Sequence, residues 1–508
     1  MIEKKSNLFA LSALSADEKL LTHPSNYNKI MAGLKSLLKD TAIYGISSIV
    51  GRFLNYLLVP IYAASMSAAS GGYGVVTEVY AWTALLMVML TYGMETSFFR
   101  FVNKETEDPK KVYSTVLTMV GGSSLLFAMV CMICLNPIAS MMGYAEHPWY
   151  VGMMTLVVAM DAFQCLPFSY LRYKRKPLVF AGLKMLFIIL NITLNLIYYV
   201  GMGGNDVFYA FFFNLICTST IMLLLLPQIK LGGGFDASLA KRMLKYGYPI
   251  LILGIAGILN QVADKIIFRH VYPGEDAQVQ LGIYGAASKI AMIMAMLTQA
   301  FRYAYEPFVF AKSKDKDSKV MYANAMKYFI IFTLLAFLAV VFYIDILKYI
   351  LAPDYWSGLR VVPIVMMAEI FMGVYFNLSF WYKLIDETKW GAYFSFAGCA
   401  VLIAINVFFV PIYGYMACAW AGFAGYAVAM LLSYFVGQKK YPINYDLKGI
   451  GKYVAAAIAL YLVSEGLPFE NIWVLLAIRT CLLMVFVGYI IKNDFPLKQI
   501  PFIKRFVS

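Results

Sequence analysis

The sequence predicts an all-α polytopic membrane protein of fourteen transmembrane helices, arranged as two six-helix lobes in a parallel repeat plus two C-terminal helices. Three observations predict it. Hydrophobic residues make up 61% of the 508-residue chain and charged residues only 14%, against about 25% in soluble proteins, so a water-soluble core could not hide the apolar surface. The apolar stretches are continuous, as in 183–200 and 328–343; this suits helices of about 20 residues and not the alternation of a membrane β-barrel. Positive charge, finally, is confined to alternate connections. With residues near a span end counted with the adjoining loop, 34 of the 42 Lys and Arg lie on one side, 3 on the other and 5 within spans. The positive-inside rule then places the basic side, with both termini, in the cytoplasm.

Each element follows in order. Residues 1–40 read as a cytoplasmic tail ending in a basic amphipathic lead-in (28–40) suited to the membrane face. Lys4-Lys5 and the apolar stretch 8–16 imitate a short signal peptide, but Ser12 and Ser15 interrupt it and Asp17-Glu18 follow. The spans are 41–63, 74–97, 113–135, 149–170, 178–200 and 207–226 in the first lobe (41–228). A cytoplasmic linker (229–245) follows, with Gly232-Gly233-Gly234 as its flexible part. The second lobe (246–437) holds 246–269, 281–304, 324–345, 361–382, 390–411 and 415–436, and the last two helices (450–491) run 450–466 and 473–491, before a cytoplasmic tail (492–508). Trp149, Trp356 and Trp473 fall at outer span ends and Trp381 and Trp390 at inner ends, where interfacial rings are expected. All connections on the charge-poor side are short, so any chemistry belongs to the helical bundle or its rims.

The repeat is visible at an offset of 211 residues: Tyr73-Gly74 matches Tyr284-Gly285, Glu78 meets Lys289, Glu95 meets Glu306 and Phe99 meets Phe310. Both segments start with Tyr-Gly, continue as a long helix rich in small residues and Met, and end in an acidic residue followed by aromatics. Two equally oriented lobes suit alternating access around a midplane site.

Several function classes are excluded. The three His pair with no nucleophile at a recognisable spacing, and no phosphate-binding loop of the G-x-x-x-x-G-K-[ST] type occurs. No enzyme activity is expected and no cofactor or metal. The Cys131/Cys134 pair lies in an apolar span without further ligands and reads as buried thiols. The net charge of +14 follows from topology and an anionic inner leaflet, not from nucleic acid.

Ionisable residues within spans are costly and call for reasons. Arg52 and Asp161 lie deepest. For Arg52 two readings stay open: attraction of an anionic group, which a guanidinium fork suits, or an ion pair within the lobe, for instance with Asp161. Asp161 and Asp264 are either coupling-ion or gating sites, or polar pairs between helices. Asp264 and Lys265 project about 100° apart on a helix and are not expected to pair. Lys184 is expected to snorkel to the inner face, and Lys265 and Lys289 are further intramembrane cations. Glu95 and Glu306 lie near the inner rim, where Arg100 and Arg302 are the expected partners in a structural or gating role. Glu369 and Arg479 carry no assignment.

The segments GRFLNYLLVPIYA (51–63), YGMETSFFRF (92–101), LRYKRKPLVFAGLKM (171–185), LNQVADKIIF (259–268) and YGAASKIAMIMAMLTQAFRYAYEPFVF (284–310) occur in an order and topology that resemble the multidrug/oligosaccharidyl-lipid/polysaccharide exporter superfamily. Within it the chain is most similar to Wzx-type polysaccharide flippases, and the likeness covers about residues 35–490. The resemblance implies a MATE-like fold and a flippase for undecaprenyl-diphosphate-linked oligosaccharides in the bacterial cytoplasmic membrane. It implies substrate cations at Arg52, Lys184, Lys265 and Lys289. It also implies ion coupling by H⁺ or Na⁺ at Asp161 and Asp264, while gating at Glu95, Glu306 and Arg302 is read from their place at the inner rim. Implied partners are the lipid-linked oligosaccharide, membrane lipid and polysaccharide polymerase or assembly proteins; the resemblance leaves the oligomeric state open, and a monomer is the expectation. Cation-exporting multidrug members carry an acidic residue in the first helix where this chain has Arg52. A multidrug/cation antiporter of the same fold is the alternative. A membrane glycan polymerase fits less well, because the outer loops are short.

Overall fold

The computed structural model describes residues 58–311, 317–468 and 471–494. Among these every regular element is helical. The helices that matter below are α1 (Leu58–Ser65), α2 (Gly72–Thr91), α3 (Met94–Val102), α4 (Pro109–Ile133), α5 (Pro148–Tyr173), α6 (Pro177–Asn195), α7 (Val207–Leu225), α8 (Ala237–Val271) and α9 (Ala277–Ala311). They continue with α10 (Ser318–Phe342), α11 (Val362–Leu378), α12 (Phe380–Leu384), α13 (Lys389–Tyr413), α14 (Tyr415–Lys440), α15 (Leu447–Glu465) and α16 (Ile472–Asn493). Thirteen stretches among the described residues are long and apolar enough to cross a membrane, and the chain is a multi-pass membrane protein. The expected first span lies mostly outside the described residues; α1 is its described end.

The described residues form two compact units, one of residues up to Ser65 with Val75–Val262, the other of Met66–Gly74 with Ala263 onward. In the first, α5 is the core helix, packed by α4, α6 and α7. Its apolar residues face protein on nearly all sides, so it is the most buried of the spans. In the second, α9, α10 and α11 pack on one another, α14 joins α11 and α13, and α15 and α16 lie against α10.

The α13/α14 pair shows how membrane helices pack without a hydrophobic driving force between them. A Cβ on Gly398 would stand 2.6 Å from the Gly425 carbonyl oxygen, and one on Gly425 would stand 2.9 Å from that of Gly398. Small residues here let two backbones touch and gain dispersion contact.

Three elements depart from the sequence reading. The second span does not run unbroken to Glu95. Its helix α2 stops at Thr91, and Tyr92 (φ 31°) and Gly93 (φ 73°) turn the chain before α3 within the one apolar stretch Gly72–Val102. A side chain at Gly93 would collide with the Gly247 carbonyl at 2.8 Å, so the glycine serves both the left-handed turn and the close approach. Its repeat counterpart, α9, runs unbroken over 35 residues.

The expected linker 229–245 is helical from Ala237. Asp236 accepts hydrogen bonds from the backbone N–H of Ser238 and Leu239 at 2.9 and 3.0 Å and caps α8. These bonds, with Lys111 at 3.0 Å, hold its carboxyl well below the ordinary range. Leu239, Ala240 and Met243 face inward while Lys241, Arg242 and Lys245 face outward, an amphipathic start that a hydropathy window cuts off. The triple glycine is not a free tether either. A Cβ at Gly233 would meet the Lys110 carbonyl oxygen at 2.4 Å, and the Ser114 hydroxyl donates to the Leu231 carbonyl at 3.0 Å.

Trp381, expected as an interfacial ring, packs inside the protein. It is 2% exposed, and its indole donates to the Ser433 carbonyl at 3.1 Å. Trp149 and Trp473 are exposed, as span-end rings should be.

Candidate functional site

Charged side chains collect in two intramembrane groups, one in each unit, and in a third group at the basic-loop end of α9. Arg52 lies outside the described residues.

In the first unit, Asp161 of α5 has Lys184 of α6 within electrostatic range and Thr218 of α7 within hydrogen-bonding reach. Around it runs a polar seam: the Gln164 amide donates to the Thr218 carbonyl at 2.9 Å, and Asn214 donates to the Tyr80 hydroxyl at 2.6 Å. Both expected roles of Asp161 draw on the same geometry, a helix-to-helix polar contact beside a cation. The Lys184 ammonium sits 4.1 Å from the centre of the Phe168 ring, a cation–π contact, with Asp161 and Glu95 as its electrostatic neighbours.

Glu95, in the first turn of α3, where the helix dipole favours an acid, takes its partner from α5. Arg172 reaches it at 2.9 Å. The expected partner Arg100 instead stacks over Tyr246 at 4.0 Å. The turn at Gly93 re-aims α3, so the neighbour across the helix pair wins over the neighbour in sequence.

In the second unit, Asp264 of α8 is 5% exposed. It accepts a hydrogen bond from the Tyr284 hydroxyl at 2.6 Å, and the Lys265 ammonium lies 3.0 Å from both carboxylate oxygens. The expectation that these neighbours do not pair is thereby corrected. Their Cα–Cβ bonds do diverge, but the four-carbon lysine stem swings the charge back. Lys289 of α9 and Glu369 of α11 both lie within electrostatic range of Lys265, and Tyr426 of α14 within range of Asp264 and Glu369. Glu369 Oε2 is buried without a hydrogen-bond partner. Three helices thus bring two ammonium and two carboxyl groups together, with the Tyr426 phenol of a fourth nearby, a set able to meet an anion or to exchange a cation.

At the third group Glu306 accepts from Arg302 at 3.3 Å, as expected, and also from Lys383 at 2.8 Å. Beyond the span end at Arg302, partial burial would raise the Glu306 carboxyl, but Lys383 and Arg302 offset it and leave it below the ordinary value.

Two charged residues gain roles that the sequence did not reveal. Glu78 is fully buried in α2 and accepts from the Tyr144 hydroxyl at 2.7 Å; its only sequence signal was its repeat alignment with Lys289. Arg479 of α16, 6% exposed, donates to Ser464 at 2.9 Å, to the Phe342 carbonyl at 3.3 Å and to Asp345 at 2.8 Å. It ties the C-terminal helix pair to the end of α10.

Known proteins agree with this architecture. A lipid II flippase MurJ in an inward closed conformation superposes with a TM-score of 0.70 at 14% identity, covering 89% of this chain and 99% of its own. An inward-facing multidrug resistance MATE transporter of the MOP superfamily gives 0.60 at 15% identity, covering 78% of this chain and 95% of its own. The MATE multidrug transporter DinF-BH, in a ligand complex, gives 0.58 at 17%, covering 80% and 96%. The fold is therefore the one shared by MurJ and MATE proteins. No curated protein sequence matches the chain. The model of the polysaccharide biosynthesis protein family matches residues 37–304, more than half of the chain, and the chain belongs to that family.

Proposed function

We propose that the protein is an alternating-access flippase that moves undecaprenyl-diphosphate-linked oligosaccharide units across the bacterial cytoplasmic membrane for surface polysaccharide synthesis. The observation that carries the reading is the conjunction of polysaccharide-biosynthesis family membership with a fold that matches a lipid II flippase over 89% of the chain. Lys265 and Lys289 beside Asp264 and Glu369 support it as intramembrane cations: Lys265 is paired to Asp264, and the charged neighbour of Lys289 is a like charge, Lys265. Arg52 and Lys184 are the corresponding cations of the first lobe. Asp161 and Asp264 are the carboxylates assigned to H⁺ or Na⁺ coupling, and Glu95, Glu306 and Arg302 to gating. Residues 41–228 and 246–437 act as the rocking lobes, 229–245 connect them, and both termini are cytoplasmic. The protein works as a transporter rather than an enzyme, as a monomer alongside a polysaccharide polymerase.

Deleting the gene should abolish surface polysaccharide while lipid-linked repeat units accumulate on the cytoplasmic side. Purified protein in liposomes should move a lipid diphosphate oligosaccharide, and Lys265→Gln with Lys289→Gln should slow that movement at least tenfold. Intact surface polysaccharide in a deletion strain without a paralogue would defeat the reading. The second reading, an ion-coupled multidrug/cation antiporter, draws on the MATE neighbours. It predicts drug resistance on expression and no effect on polysaccharide.

A further inference from the structure

The 211-residue repeat extends beyond the two helices that display it in sequence. Glu95 and Arg172 have Glu306 and Lys383 as their counterparts at that offset. Each acid meets its base at nearly the same separation, 2.9 Å in the first unit and 2.8 Å in the second. The backbone around the two bases repeats as well. The helix end that carries Arg172 is closed by a hydrogen bond from the Lys176 N–H to the Leu171 carbonyl at 3.0 Å. The one that carries Lys383 is closed by a bond from the Glu387 N–H to the Tyr382 carbonyl at 2.8 Å, at the same offset. Within these caps Arg175 (φ 52°) and Asp386 (φ 59°), again equivalent in the repeat, take the left-handed position that glycine usually fills. Tyr92 is the one other non-glycine residue with positive φ among the described residues, so the match is no general habit of the loops. Acid, base and cap form one device, present once in each unit.

We infer that Arg172 and Lys383 are the positioning residues of a duplicated, reversible latch, which ties α5 to α3 in one lobe and α12 to α9 in the other and lets go when that lobe opens at its basic-loop end. Arg172 and Glu95 are 44% and 45% exposed at their side chains. An ion pair so well hydrated shifts an equilibrium about fivefold at most, enough to bias two positions of a helix end and too little to hold a fold. The two copies differ in one respect. Arg302, one turn before Glu306 on the same helix, is a second claimant on that acid at 3.3 Å. Its counterpart in the first unit is Thr91, whose hydroxyl donates to the Met87 carbonyl at 2.8 Å. Glu306 therefore keeps a cation after Lys383 leaves, and the second latch is the readier to open. The latches stand on the repeat and its geometry; what they admit rests on the flippase reading.

Amide hydrogen exchange of the full-length chain in nanodiscs, followed in peptides over 168–176 and 379–387, reads both latches. Glu95→Gln and Arg172→Gln are each expected to speed exchange about fivefold in the first peptide and not in the second. Lys383→Gln is expected to act on the second peptide alone and by less, about twofold, because Arg302 already shares the acid. Arg302→Thr, which copies the first unit, is expected to slow exchange there. Arg172→Lys, Lys383→Arg and the exchanged pair Glu95→Arg with Arg172→Glu are expected to keep wild-type rates. Unchanged exchange in Arg172→Gln and Lys383→Gln overturns the inference. So does a gain that the exchanged pair fails to repair, or faster exchange in Arg302→Thr. A melting temperature lowered by several degrees in Arg172→Gln, with faster exchange throughout the unit, would make the pair a brace and overturn it too. A wild-type chain that moves no lipid in liposomes would remove the flippase reading, and the exchange rates would still decide the latch.

Discussion

Arg479 is the residue whose role is most clearly mechanical. Its guanidinium is buried among Ser464, the Phe342 carbonyl and Asp345, so Arg479→Met leaves Asp345 without one partner and the Phe342 carbonyl without a donor. Breaking a buried pair costs about 3 kcal/mol, and the variant is expected to melt earlier in detergent by several degrees. Burial alone would raise the carboxyl of Asp345, but hydrogen bonds from Lys348 and Arg479 overcome it and hold the group below its ordinary value. A depressed carboxyl contributes stability that is full above the unfolded value of about 4 and is lost as pH falls through the folded one. A melting series from pH 7 to pH 2 should therefore show a loss beginning near pH 4, flatter in Arg479→Met. None of these partners was legible in the sequence, because Asp345 is 134 residues from Arg479 and hydropathy ranks an arginine by cost alone. The Asp264–Lys265 pair failed for a different reason: helix geometry fixes where a side chain starts, not where a flexible stem ends.

At the scale of elements, most spans were readable to within a few residues, since about 20 continuous apolar residues leave little freedom. What hydropathy missed were the places where polar residues are helical and where apolar ones are not. The first turns of α8 carry Lys241, Arg242 and Lys245 and read as a linker by composition, while Tyr92-Gly93 lies within an apolar run and yet breaks it. Nor can hydropathy separate protein-facing from lipid-facing surface, and for that reason Trp381 reads as an interfacial ring. Gly93→Ala should cost about 1–3 kcal/mol from the left-handed φ and more from the Gly247 carbonyl, read as reduced folded yield on size exclusion. Gly398→Leu should separate α13 from α14 and lower the melting temperature, whereas Gly422→Leu, which meets no neighbour within 4 Å, should not.

For the whole molecule, the charge asymmetry of the loops makes a prediction of its own. Single cysteines at Lys174 and Trp473, in a chain freed of its native thiols, should react with a membrane-impermeant maleimide from opposite sides in spheroplasts. The first should be protected and the second labelled; the reverse pattern would invert the topology. The bundle also holds a second tie on α10, at the end opposite Asp345. Lys327, whose side chain is 17% exposed, pairs with Asp446 at 3.1 Å and Asp494 at 2.6 Å, and the Tyr453 hydroxyl donates to Asp494. During synthesis this lysine is made more than a hundred residues before its first partner. A nascent chain therefore carries an uncompensated ammonium in its second half until α15 arrives, and completes the tie only with Asp494. A chain clipped before Asp446 shows its loss far upstream, as an α10 whose Lys327 has neither of these two acids.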